Sequence, residues 1–490
     1  MPRQSDLALP VPPASTGGTA QFHCGSLVYS KAGIFSLFTW LLWGDFCFSL
    51  MEAVWPSVLP LTLQSLGSSN FIISLFITTI PSAMNFVLNP VISTTSDRYR
   101  SRLGRRIPFL LFATPFITAF LILMGFAREL GAGLHGLLAS SFPQLAPGLV
   151  TIGLVGILMV SFRFFELFVN TVYWYLFNDV VPAPLIGRFL GFFRVVGALA
   201  GALFNFFVFR YAESHASWIF LGAGLLYGVT FFLMCWNVKE GSYPPPEPVA
   251  TGRPTLLSYL TMFFQECFSY PVFNLVFLTN GLWMIGYCIY PFNVFFAKSI
   301  GLSYTEIGYI NGAGGLIGVL LMYPAGALMD RHHPLRVMII AAATLCLITP
   351  LNLIFLWSNF SHAANFWIYA VTIGLSLPLL MIYPAATFPM AMRIFPHGRF
   401  GQFCSANAMC GAAATIIGGL FAGVFLDWLK PLHSWPEFSY RYVPAWSTVF
   451  FLLALATLAG LFREWKKLGG DRHYQPPIED KFSALFQGER

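Results

Sequence analysis

Five charged residues sit in stretches of the chain where charge is costly. Asp45, Glu52, Arg163, Glu166 and Arg194 each interrupt a long apolar run. On insertion scales a charge near the middle of a bilayer costs roughly 2.5–3.5 kcal/mol, so each needs a partner or a wet cavity. Their spacing is regular. Asp45 and Glu52 are seven residues apart, two helical turns along one face. Arg163, Glu166, Asn170 and Trp174 follow i, i+3, i+7 and i+11, one polar stripe on one helix, and Arg194 shares a face with Asn205. A carboxylate, a guanidinium and an amide can hydrogen-bond hydroxyl groups, and an indole supplies a stacking face. Glu52 and Glu166, with Arg163 as counter-ion, are the candidates for carrying a proton. A purely structural network of Arg163, Glu166 and Glu52 is the alternative reading. Later in the chain Asn280, Trp283, Tyr287 and Tyr290 recur at roughly helical spacing. Such a stripe can be packing alone, but an amide and hydroxyls need satisfying in lipid, which favours a cavity.

The elements that hold these residues are membrane helices. Of 490 residues 57% are hydrophobic and only 10% charged, against about 25% charged in a typical soluble domain. Mean hydropathy is +0.69. This excludes a soluble enzyme, a disordered hub and a nucleic-acid binder, despite a net charge of +7. Apolar runs predict twelve spans, at 34–60, 70–95, 107–127, 148–178, 188–209 and 217–237, then 272–297, 305–329, 335–357, 364–394, 400–428 and 443–463. With an even number of spans both termini share a side. That side holds 20 of the 27 basic residues, which by the positive-inside rule makes both termini cytoplasmic.

The expected organisation is an all-α membrane protein: a flexible tail (1–31), a six-helix bundle (32–238), a cytoplasmic linker (239–271), a second six-helix bundle (272–463) and a tail (464–490). Within the linker Thr255 to Ser269 reads as an amphipathic interfacial helix or an extension of the next span. The eight cysteines form no CxxC or CxH pattern and read as small core residues. No metal or cofactor is expected. HExxH and paired-metal patterns are absent from the sequence, and the chain is not expected to be an enzyme.

The two halves echo each other. Span 2 runs into Ser96-Asp97-Arg98 and span 8 into Met329-Asp330-Arg331. Span 4 is followed by Gly187-Arg188-Phe189 and span 10 by Gly398-Arg399-Phe400. Two six-helix repeats would leave such punctuation. The loop Ser96-Asp-Arg-Tyr-Arg-Ser-Arg-Leu-Gly-Arg-Arg106 holds Asp97, Arg98, Arg102, Gly104, Arg105 and Arg106. A topology anchor needs only the arginines. The acid and the glycine point to a charge-paired latch, with Asp330 and Arg331 as its echo.

This loop resembles the signature of the major facilitator superfamily. Followed by Ile107-Pro108-Phe109, it is similar to that of the glycoside–pentoside–hexuronide:cation symporters, which include the melibiose carriers. The resemblance implies the major facilitator fold, a latch that stabilises the outward-facing state, and a solute site. In it Asp45-Phe46, Asn170-Thr-Val-Tyr-Trp174 and Arg194 before Leu199-Ala-Gly201 would bind sugar. The family's sodium site uses Asp-x-x-x-Asp-Pro, whereas this chain has Asn85-Phe-Val-Leu-Asn89-Pro90. Amides keep oxygen donors but carry no charge, so proton coupling through Glu52, Glu166 or Asp45, or no coupling at all, is expected over sodium.

The expected function is therefore secondary transport of a sugar, glycoside or related polyhydroxylated solute across the cell membrane. The partners are that solute, a coupling proton and the lipid bilayer, with no nucleic acid. The rival readings are an exporter of an amphiphilic solute and a transport-inactive receptor.

Overall fold

A computed structural model describes residues 22–243, 264–396, 399–433 and 435–477. Twelve helical spans are long and apolar enough to cross a membrane. They are α1 (Lys31–Ser65), α2 (Asn70–Arg98), α3 (Ile107–Gly125), α4 (Pro147–Val180), α5 (Ala183–Tyr211), α6 (Ala216–Asn237), α7 (Pro271–Ser299), α8 (Tyr304–Arg331), α9 (Pro334–Leu356), α10 (His362–Ile394), α11 (Phe400–Leu432) and α12 (Pro436–Lys467). Each expected span falls on one of them. The 35 residues of α1 would extend about 52 Å at 1.5 Å per residue, so the helix tilts or projects beyond the hydrocarbon.

Local chemistry sets many of the ends. Ser30 and Ser69 accept the Gly33 and Ile72 N–H groups in the first turns of α1 and α2. At α8 the Ser303 hydroxyl accepts from the Glu306 N–H at 3.3 Å, and the Glu306 carboxylate accepts from the Ser303 N–H at 2.8 Å, a reciprocal capping box. His333 starts α9 by accepting the Leu335 N–H at 3.3 Å. Burial and the nearby Arg393 push its imidazole pKa down to about 4, so it stays neutral and able to accept.

The twelve spans run alternately up and down, placing both ends of the described chain on one face, here termed the terminal face. The first residues depart from the expected tail. Phe22–Cys24 (β1) and Leu27–Tyr29 (β2) pair as an antiparallel hairpin, turning at Gly25 with φ +56°. The hairpin docks on the terminal face. Cys24 Sγ lies 3.4 Å from the Asp179 carbonyl, and the Ser242 N–H donates to Ser26 Oγ at 2.8 Å. Residues 1–21 and most of the stretch Thr255–Ser269 lie outside the described residues, although 264–268 are helical.

α1–α6 and α7–α12 meet along a seam on the opposite face. Among the described residues, the hydrogen bonds joining the two sets gather there. The Asp427 carboxylate on α11 accepts the Asn70 and Phe71 N–H groups at 3.0 and 2.8 Å, capping α2 from the other half. Tyr440 donates to Asn70 Oδ1 at 2.9 Å, and Ser74 to the Gly419 carbonyl at 2.5 Å. Glycine permits this approach. A Cβ on Gly423 would lie 2.7 Å from backbone atoms of both Asn70 and Phe71, and one on Gly308 would collide with the Asn205 carbonyl. On the first-half side each contact involves a π turn or its flank, Leu75–Thr79 in α2 and Phe204–Val208 in α5. The buried core follows the seam. One apolar cluster runs from the first half into Phe292, Phe296, Leu426 and Tyr440, while a second occupies the remainder of the other half.

Gly423→Ala should therefore cost about 1–3 kcal/mol by overpacking against backbone that cannot move aside. Gly133→Ala, with open space around it, should be neutral. Thermal unfolding in detergent compares the two.

Candidate functional site

Between the halves lies a cavity of about 430 Å³. Its first-half wall includes Glu52, Trp55, Arg163 and Asn205, and its second-half wall includes Tyr287, Tyr290, Asn293 and Asn311. The charged centre is Arg163. Its Nη1 lies 2.7 Å from Glu166 Oε2 and 3.8 Å from Glu52 Oε1. Glu166 is fully buried, whereas a third of the Glu52 side chain is exposed at the cavity wall. Trp55 joins them. Its indole donates to Glu52 Oε1 at 3.1 Å, and its ring lies 4.9 Å from the Arg163 guanidinium. Facing them, Tyr287 and Tyr290 stack at 5.3 Å and 10°.

The residues expected to bind solute do not all meet here. Asp45 is 1% exposed and receives a hydrogen bond from Ser49 at 3.4 Å, while its second carboxylate oxygen has no partner. It lies two turns from Glu52, about 10 Å toward the terminal face. Arg194 is exposed, and its guanidinium lies 5.8 Å from the Trp174 ring centre. Asp45 and Arg194 do not come within 4 Å of each other as an ion pair. Gly197, one turn beyond Arg194, is the α5 position that approaches Asp45. Asp45, Trp174 and Arg194 thus form a second level outside the central cavity, and half-buried Asn170 lies between the two.

Other expectations need correction. Trp283 is 2% exposed and stacks on Tyr383 at 3.5 Å and on Phe451 at 4.7 Å, so its role here is packing. Asn280 donates to the Asn407 carbonyl at 3.2 Å, joining α7 to α11 away from the cavity. Asn89 accepts from Thr171 at 2.9 Å and fastens α2 to α4, while Asn85 is exposed. Sequence reasoning missed Trp55 and Asn293. Trp55 carried a signal, since it follows Glu52 by three residues on one helix face.

The loop after α2 forms a clamp inside the first half. Arg105 grips Asp179 at the end of α4 through Nε at 2.9 Å and Nη2 at 2.5 Å. Arg106 reaches Asp97 at 2.5 Å and Asp179 at 3.1 Å. Glu240, just beyond α6, accepts the N–H groups of Arg105, Arg106 and Ile107 at 2.9, 2.8 and 2.5 Å, capping α3. Gly104 has φ +107°, and a Cβ there would lie 2.4–2.6 Å from the Glu240 side chain. Tyr243 donates to Glu240 at 3.1 Å and lies under the Arg105 guanidinium at 4.2 Å. Burial, then the charges of Glu240 and Asp179, push its phenol pKa up and keep it a donor. Four helix ends are tied, all from one half. Arg98 and Arg102 are exposed and form no ion pair among the described residues, and the same holds for the expected echo at Asp330 and Arg331. In the second half Arg399 pairs with Glu266, and Arg336 with Asp471. Asp179, Glu240 and Tyr243 were not singled out from sequence.

The family profile described as Major Facilitator Superfamily matches residues 275–483. Human solute carrier family 45 member 4 is 22% identical over 269 residues, covering 51% of this chain and 33% of that protein. The match thus spans about a third of the relative's length. A bacterial homolog of the human lysosomal transporter Spinster, in an inward-facing and occupied conformation, is similar with a TM-score of 0.65 and 13% identity, over 92% of this chain and 100% of that one. A D-xylose–proton symporter is similar with a TM-score of 0.60 and 15% identity, over 87% and 97% of the two chains. These findings define the class: an integral membrane protein with the major facilitator fold. They bear out the superfamily resemblance, and the second half carries the superfamily's sequence pattern.

Removing the cap from α3 should be costly. Glu240→Ala leaves three N–H groups without their carboxylate, and should lower stability by about 1–3 kcal/mol. Gly104→Ala should act in the same direction through φ and through contact with Glu240, whereas Asp330→Asn should have no effect. Melting temperatures of the three purified variants check this.

Proposed function

We propose that this protein is a secondary transporter that moves a sugar-type solute by alternating access, coupled to protons. The observation that carries the reading is the cavity between two six-helix halves, sealed on one face by a seam of hydrogen bonds and glycine contacts. Its walls combine charged and amide groups from one half with a tyrosine pair from the other, a lining suited to hydroxyl groups and a ring face. The basic residues gathered on the terminal face make that face cytoplasmic. The sealed seam then faces outside, and the state described is inward-facing. Similarity to a D-xylose–proton symporter supports the choice of solute and ion.

Coupling follows from charge at the triad. Two carboxylates share one guanidinium, and a buried excess charge is costly unless a proton or cation joins it. Asn85 and Asn89 offer no charge to a sodium ion. Glu52, at the cavity wall, would exchange the proton with water, and Glu166 would hold the pair in place. Solute would enter between Glu52, Asn205 and Asn311 and the Tyr287–Tyr290 pair. The Asp45–Trp174–Arg194 level would lie on its path to the terminal face.

Proteoliposomes test this directly. Uptake of labelled pentoses, hexoses and disaccharides should rise with an imposed inward proton gradient and be unchanged when potassium replaces sodium. Glu52→Gln should abolish gradient-driven accumulation while leaving equilibrative exchange of the same solute. Tyr287→Ala should weaken apparent affinity by roughly tenfold, as expected for losing a stacking contact of 1–2 kcal/mol, and Trp283→Ala should act on stability instead. No sugar stimulated by the gradient, or sodium-dependent uptake, would overturn the reading.

A further inference from the structure

A second concavity lies on the outside of the first half, separate from the solute cavity. It is a groove of about 480 Å³ between α1, α5 and α6. Leu50, Val54, Phe204, Val208 and Leu226 line its length, and Tyr211 and His215 lie at one end. Gly222 forms part of its lining with no atom within 4 Å of where a Cβ would be, so the groove is open there. Its place within the apolar spans means hydrocarbon, not water, is its surroundings. The polar end coincides with the turn between α5 and α6, where a headgroup would lie. Exposed Trp218 marks the same level, as aromatic side chains do at membrane boundaries.

That end carries positive charge. The Arg210 guanidinium lies 4.7 Å from the Tyr211 ring centre, and Arg210 is exposed and forms no ion pair among the described residues. His215, which lines the groove, is held through Nδ1 by the Ser214 hydroxyl at 2.8 Å. The neighbouring carboxylate, Glu213, interacts with the Tyr304 hydroxyl of the other half. An apolar trough with an exposed guanidinium beside its Tyr211 end matches a molecule with an acyl chain and a phosphate. A groove of similar size on the second half, walled by Phe421, Trp428 and Phe450, has no titratable side chain in its lining.

We infer that the groove between α1, α5 and α6 is a binding site for a membrane glycerophospholipid, its acyl chain along Val54, Val208 and Leu226 and its phosphate at Arg210. The site has a mechanical consequence. Phe204 and Val208 belong to the π turn of α5 whose Asn205 carbonyl packs on Gly308 at the seam. A bound lipid braces that turn from behind.

Native mass spectrometry of the delipidated full chain in detergent tests the site, with palmitoyl-oleoyl phosphatidylglycerol and a diacylglycerol of the same chains as probes. The first phosphatidylglycerol should bind roughly fivefold or more tightly than the diacylglycerol, the margin of a charge-assisted hydrogen bond. Arg210→Gln should erase that preference. Gly222→Trp, which fills open space, should remove the first bound lipid of either kind, and Val208→Trp provides the same test if that variant is unstable. Arg128→Gln, which alters a different exposed arginine on the same face, should bind as the unaltered protein does. Equal binding of the two probes to the unaltered protein would overturn the proposal. So would equal losses in Arg128→Gln and Arg210→Gln, which mark general attraction to lipid, or unchanged binding in both groove-filling variants.

Discussion

Arg163 cannot give up its charge, and it sits where water scarcely reaches. Everything near the centre of the first half follows from that constraint. A guanidinium in a low-dielectric interior must be met by carboxylates at short range, because its desolvation penalty is several kcal/mol. Glu166, one turn along α4, meets it at 2.7 Å, and Glu52 meets it from α1 across the cavity wall. The pairing therefore fixes how α1 and α4 lie against each other. Trp55 completes the arrangement by binding one carboxylate oxygen and covering the guanidinium with its ring. Arg163, Trp55 and Glu52 all line the cavity, with Glu52 the more exposed carboxylate, so the interaction that stabilises the bundle also reaches the space a solute would occupy.

The two ends of the molecule use different physics. On the terminal face the bonds are charged, multiple and confined to one half. Asp179 and Glu240 between them satisfy two guanidinium groups and three backbone N–H groups at the ends of α3, α4 and α6. Charge-assisted bonds of this kind make the first half a rigid unit. At the seam the contacts are of another type: single neutral hydrogen bonds, glycines against backbone, and the Asp427 cap on α2. Water can replace each of those partners when the surfaces part, at modest net cost. In the transporter proposed above, a body that stays intact and a joint that opens would call for this division.

The halves also divide the chemistry. Charge near the centre comes from the first half, and the second contributes the Tyr287–Tyr290 pair, Asn293 and Asn311. Trp283 lies in the same helix as Tyr287 but faces Tyr383 and Phe451, inside the packing of its own half. Four residues along a helix turn a side chain by about 40°, and here that rotation separates cavity from core.

The twelve spans, their order and the charged residues of α1, α4 and α5 were legible in the sequence. Long apolar runs and the cost of charge in lipid act locally, residue by residue, so they leave a direct imprint. The capping serines and the glycine turn of the loop after α2 are local in the same sense. Partners at long range are another matter. Nothing in the spacing of Glu240 or Asp179 announces that they meet Arg105 and Arg106, since those contacts bridge more than seventy residues of chain. The same holds for Asp45 and Arg194, two sequence-selected site residues that do not pair. Helix periodicity gives the face each residue occupies, but the tilt and axial shift of α1 against α5 decide whether two such faces meet at one level. Those offsets are set by packing over whole helices, by the glycines of the seam and by the π turns of α2 and α5. Tertiary structure alone therefore placed Glu52 in the cavity, Asp45 two turns away, and the hairpin of residues 22–29 on the terminal face.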